Sequence, residues 1–128
     1  MIYETNKEIK PFEVQVDKYL PYYYAGASGD FNPIHIDYEF AKMVGLGGII
    51  LQGLCTMAFV YRGVMDDKDP SKIKKLKVRF RSPVRPNDKL AIKGKVTSIE
   101  QNLSTINLFA ENQKGEQVIT NATVVVEN

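Results

Sequence analysis

The stretch from Gly53 to Met65 constrains this chain more than any other. Leu54, Cys55, Met57, Ala58, Phe59, Val60, Val64 and Met65 put apolar groups on nearly every side of a helix. A helix apolar all round is an interior helix. This one is shorter than the roughly 20 residues that a bilayer crossing requires. The rest of the chain must therefore wrap it.

The second half of the sequence supplies a wrapper. Leu76, Val78 and Phe80 alternate with Lys75, Lys77, Arg79 and Arg81, and Leu90, Ile92, Gly94 and Val96 repeat the period of two. Leu103 to Ala110 and Val118 to Val126 add two apolar strands, with Asn112-Gln113-Lys114-Gly115 as the hairpin loop between them. The first half reads differently. Phe12, Val14 and Val16 alternate in a short strand over Pro11–Val16. Asp17 is placed to cap a helix through about Ala27, with Pro21 tolerated in its first turn. Asp37 caps a second helix, Tyr38 to Val44, stopped at Gly45, and Gly45-Leu46-Gly47-Gly48 is a flexible turn. The expected fold class is α+β: one domain over residues 1–128, an antiparallel sheet wrapped around a central buried helix.

Composition removes several functions. A single Cys forbids an intrachain disulfide, and one Cys with one His forbids a zinc finger or a three-histidine zinc site. No cofactor and no metal are expected. No apolar run reaches membrane-spanning length, and Met1 to Glu8 carries acids in place of a signal peptide's apolar core, so a cytoplasmic protein is the expectation. The net charge of +2 is too small to argue for nucleic acid. The charge is nonetheless uneven. Lys72 to Lys89 holds eight basic residues against the single acid Asp88, which leaves nine basic and fourteen acidic residues elsewhere. A local anionic partner fits that segment.

The densest chemistry lies between Ala25 and Asp37. Ser28-Gly29-Asp30 reads as a turn, and Asn32 precedes a proline that pushes it into extended geometry. The segment Asp30 to His35 is thus expected to be an irregular, non-helical loop between two helices, where catalytic groups tend to sit. Asp30 and the only histidine, His35, share this loop. A carboxylate and an imidazole can together hold one water and move its protons. On spacing alone the pair can equally be a turn-capping aspartate and a structural histidine.

The stretch Ala25-x-x-Ser28-Gly29-Asp30-x-Asn32-Pro33-x-His35-x-Asp37-x-x-x-Ala41 resembles the signature of the MaoC-like, (R)-specific enoyl-CoA hydratase family. Phe80-Arg81-Ser82-Pro83-Val84-Arg85-Pro86-Asn87-Asp88-x-Leu90 is similar to that family's second recurring stretch, and Gly53-Leu54 matches the opening of its buried helix. The resemblance runs over about residues 12 to 126. It implies the hot-dog fold and the addition of water to a trans-2-enoyl thioester, or its removal from an (R)-3-hydroxyacyl thioester. Asp30 and His35 would hold the water. The Gly53 N–H would face the thioester oxygen, helped by the helix dipole. Ser28, Asn32, Gln52 and Arg85 would contact or orient the substrate. Two positions depart from the pattern: Gln52 stands where the family often has His, and Asn87 where Gly is usual.

The implied partner is an acyl-CoA or acyl-carrier-protein thioester. The basic face of Lys75, Lys77, Arg79 and Arg81 is either a solvated strand face or a contact for the anionic carrier. Tyr22, Tyr23 and Tyr24 either pack a helix or line an acyl tunnel, and Cys55 is expected to be an inert apolar filler. Open sheet edges lead us to expect a homodimer. Two other readings stand beside hydration: a hot-dog acyl thioesterase, and a non-catalytic acyl-binding subunit of a heterodimeric dehydratase.

Overall fold

The computed structural model describes residues 3–65 and 68–128. In chain order the elements are β1 (Phe12–Gln15), α1 (Leu20–Ser28), α2 (Pro33–Ile36), α3 (Tyr38–Met43), α4 (Gly53–Met65), a 3-10 turn (Pro70–Lys72), β2 (Ile73–Phe80), β3 (Lys89–Glu100), β4 (Leu103–Glu111) and β5 (Gln117–Glu127). The strands form one antiparallel sheet in the order β1-β3-β4-β5-β2. This is the α+β arrangement expected, a sheet curved around α4.

The core follows from the register. Val96 faces Ile106, Ile106 faces Val124 and Val124 faces Leu76, so the apolar positions of four strands stack on one face. Onto that face α4 presses Cys55, Phe59, Val60 and Val64. The β4–β5 hairpin closes as expected. The Asn112 side chain accepts from the N–H groups of Lys114 and Glu116, and Gly115 takes the positive φ of 76°.

Four expectations need correction. Helix α4 is not wrapped on all sides: Leu54 is 68% exposed, and Ala58 is exposed beside it. Phe80, placed in the core by the alternation, is half-exposed, and its ring lies over Gly53, where a Cβ would meet it at 3.3 Å. Asp17 does not cap a helix at its own position. Its carboxylate accepts from the Tyr19 N–H (2.9 Å) and its carbonyl from the Leu20 N–H (3.0 Å), so it forms a turn and α1 starts at Leu20. The segment Asp30 to His35 is not wholly irregular, because Pro33 opens α2. Proline at the first helical position has no N–H to leave unpaired, and its fixed φ suits the helix. The rule that the residue before a proline is extended still holds. Asn32 has ψ 127° and serves as the helix cap.

Two other short-range signals hold. Asp37 caps α3 through the Phe40 N–H at 3.1 Å, and Gly45 follows that helix with φ 91°. Asn87, in place of the usual glycine, adopts φ 71°, a left-handed turn that asparagine tolerates.

Candidate active site

The site is assembled by a relay of side chain to backbone bonds. The Ser28 hydroxyl donates to the Tyr24 carbonyl (2.7 Å) at the end of α1 and accepts from the Asp30 N–H (3.1 Å). Asp30 Oδ1 accepts from the Asn32 N–H (3.3 Å), and Asn32 Oδ1 accepts from the Ile34 N–H (3.2 Å). Each polar residue of the motif thus shapes the next turn, and the last turn delivers His35. The His35 N–H bonds the Asn32 carbonyl at 2.9 Å, closing α2 on its own cap.

His35 is buried, and its Nδ1 lies 2.8 Å from the Ile50 carbonyl. A carbonyl has no proton to give, so Nδ1 carries the hydrogen. In the neutral ring the lone pair is therefore on Nε2. Nε2 points to Asp30 Oδ2 at 3.7 Å, within ion-pair range but beyond a direct hydrogen bond. The Asp30 side chain is 46% exposed against 9% for His35, so the carboxylate forms the wet side of the pair and the imidazole the dry side. Two acceptors at this separation suit a water that donates to both.

The cleft beside His35, about 240 Å³, is lined by Gly53, Thr56, Phe80, Arg81 and Ser82 among others. No described group accepts from the Gly53 N–H, as expected for the first residue of a helix, so this donor is open at the positive end of α4. Of the residues expected at one site, the structure sets Asp30 beside His35, and His35 lines the cleft with Gly53. Sequence reasoning missed Thr56, buried on the next turn of α4. Threonine within an apolar helix carries no signal of its own, because only packing decides where its hydroxyl ends.

The remaining predicted residues sit differently. The Ser28 hydroxyl and Asn32 Oδ1 bond the backbone within the loop, which leaves the Asn32 amide as the free polar group. Gln52 is fully buried, and its amide donates to the Pro21 carbonyl (2.8 Å), tying the start of α1 to the start of α4. It does not line the cleft. Arg85 donates to the carbonyls of Leu46 and Gly48 (the latter at 3.2 Å), so its guanidinium pins the glycine turn. It lines a separate cleft with Tyr19, Tyr22 and Tyr38. Of the three consecutive tyrosines, Tyr22 and Tyr23 are exposed and Tyr24 packs on the core. At the start of β2, Lys72 of the preceding 3-10 turn and Lys74 pair with Glu127 at 3.2 and 3.4 Å, and the Lys72 hydrogen bond, then the Lys74 charge, holds that carboxyl below its usual range. Lys75, Lys77 and Arg79 are exposed, and Arg81 reaches the site cleft. Cys55 is buried, which pushes its thiol up from 9.0 to about 11.

These features coincide with a known family. The family model described as "MaoC like domain" matches residues 4–121, and the chain belongs to that family. Among curated relatives, the probable enoyl-CoA hydratase 2 of Dictyostelium discoideum is 37% identical over 113 residues, covering 81% of this chain and 35% of that protein. The chain thus spans about a third of that relative's length. Among solved structures, a MaoC-like dehydratase superposes with a TM-score of 0.91 at 25% identity, covering 97% of this chain and 40% of that one. A chain of the ChsH1–ChsH2 complex of Mycobacterium tuberculosis superposes at 0.85 with 26% identity and 98% coverage of both. Together they establish the hot-dog fold and the MaoC-like family. Among the described residues, no helix is long and apolar enough to cross a membrane.

Proposed function

We propose that this protein hydrates trans-2-enoyl thioesters to (R)-3-hydroxyacyl thioesters, and dehydrates them in reverse. The observation that carries the reading is the Asp30–His35 pair: two acceptors 3.7 Å apart, with Nδ1 tied to Ile50 so that Nε2 is free. A water held between Oδ2 and Nε2 presents its oxygen to the β-carbon of the enoyl group. The new C–O bond forms as the C=C π bond opens, and its electrons move toward the thioester oxygen. The Gly53 N–H, at the end of the α4 dipole, stabilises that developing charge. One proton of the water ends on the product hydroxyl, and the α-carbon receives the other proton equivalent through the pair or solvent. Ser28 and Asn32 act by holding the loop that sets this distance. Gln52 and Arg85 act by fixing the helix starts and the glycine turn around it.

The free edge of β2, with Leu54 and Phe80 exposed at one end of it, suits pairing with a second copy, and we assign a homodimer on that basis. A chain so similar in fold from a two-component complex supports a second reading, in which the partner is a different hot-dog subunit.

The test is to mix the purified protein with crotonyl-CoA and follow the conjugated enoyl-thioester absorbance, with a free-thiol reagent in parallel. Loss of absorbance without thiol release is expected. Thiol release would make the protein a thioesterase. Neither signal, across longer acyl chains and carrier-protein substrates, would make it a binding subunit.

A further inference from the structure

The cleft at His35 is lined by a hydroxyl that the hydration scheme leaves unused. Thr56 is 2% exposed and lines the cleft with His35 and Gly53. Its hydroxyl makes no hydrogen bond to any described residue. The usual refuge for a threonine inside a helix is the carbonyl four residues back. Here that is Gln52, whose carbonyl oxygen already accepts from the N–H groups of Cys55 (3.1 Å) and Thr56 (3.2 Å). Both lone-pair directions of that oxygen are taken.

A hydroxyl with no protein partner that opens onto a cleft is free to bond whatever occupies that cleft. Arg81 and Ser82 also bring polar groups to this cleft, but both are open enough to water to be satisfied by it. Side chains on a helix lean toward its N-terminus, so Thr56 overlies the turn that begins at Gly53. Its hydroxyl and the open Gly53 N–H therefore serve one end of one cleft.

We propose that the Thr56 hydroxyl is a second hydrogen-bond donor to the thioester oxygen, acting beside the Gly53 N–H as that oxygen gains charge. The proposal rests on the hydration reading above. It also makes Thr56 a catalytic residue that the motif at Asp30 to His35 does not contain. A donor aimed at developing charge acts mainly in the transition state, so its loss lowers kcat with little change in KM.

The experiment compares Thr56→Val, which keeps the shape and removes the hydroxyl, with Thr56→Ser, which keeps the hydroxyl. Both kcat and KM for crotonyl-CoA hydration are measured, with thermal denaturation of each variant. Thr56→Val is expected to lose about a hundredfold in kcat, with KM nearly unchanged. Its Tm should stay within a few degrees of the wild type, because no hydrogen bond within the protein has been removed. Thr56→Ser should retain most of kcat. Near-wild-type kcat in Thr56→Val overturns the proposal. So does a loss of kcat accompanied by a fall in Tm in both variants, which would make Thr56 a packing residue. Wild-type protein without hydration activity would instead sink the hydration reading itself, and this proposal with it.

Discussion

Between Lys89 and Glu127 the backbone satisfies itself: three long antiparallel strands pair with one another, and their inward side chains are almost fully buried. Between Leu20 and Gly53 three short helices are held by side chains: Asn32 caps α2, Asp37 caps α3 and Gln52 anchors Pro21. The first region leaves few polar groups over, whereas the second ends with several. They are a half-exposed Asp30 carboxylate, a His35 Nε2 without a direct bond, an open Gly53 N–H and, one turn further, the Thr56 hydroxyl. Stability is concentrated where every group has found a partner. Chemistry is available where some have not, on a segment positioned by the part that is complete.

Damage to the two regions should therefore separate stability from turnover. The largest stability loss belongs to the sheet. Ile106 is fully buried between Val96 and Val124, and Ile106→Ala should cost roughly 2–5 kcal/mol, or about 10 °C in Tm. Thermal denaturation measures this, and kcat at a temperature where the variant is folded should stay near the wild-type value. A large fall in kcat there would erase the separation.

A smaller effect belongs to the helical segment. Asp37 both ends α2 and caps α3, accepting from the Phe40 N–H while its own N–H bonds Pro33. Asp37→Ala should cost about 1 kcal/mol, a few degrees in Tm, yet lower kcat/KM because the cap lies two residues beyond His35. A full sheet-sized loss of stability would show that this segment also carries the fold.

A pH dependence lies at the junction of the two. Cys55 lies on the buried face of α4, and burial raises its thiol from 9.0 to about 11. A raised value means the folded state favours the neutral thiol. The associated stability is intact below 9.0 and is lost as pH climbs toward about 11. Urea unfolding on either side of that interval should show the decline in the wild type and a shallower one in Cys55→Ala. Equal slopes would place the thiol in water.

The strands were legible because their alternation has a period that only a half-buried sheet explains, and the Asn112–Gly115 turn carried its own signal. The Asp30–His35 pair stood out by the density of special residues around it, but on spacing alone it could be a turn cap and a structural histidine, and the resemblance to the MaoC-like family carried its assignment to a site. What escaped depended on contacts between distant parts. Helix α2 was hidden because Asn32-Pro33 reads as a break, although Pro at the first helical position can equally begin a helix. The end of β3 was hidden by a register shift between Val96 and Ser98 that interrupts the alternation before Glu100. The half-exposed Phe80 follows from the absent Cβ of Gly53, which lets the ring lie across the helix start. The commitment of Arg85 to two loop carbonyls has no local trace in the sequence.

The most direct measurement of the central claim is turnover and Tm of two variants, Asp30→Asn and His35→Ala. Asp30→Asn keeps an acceptor for the Asn32 N–H and removes the carboxylate that faces His35. Hydration of crotonyl-CoA should fall roughly a hundred- to ten-thousand-fold in each variant, with Tm within a few degrees of the wild type. Near-wild-type turnover in either folded variant would contradict the account, because the chain has no other histidine to take its place.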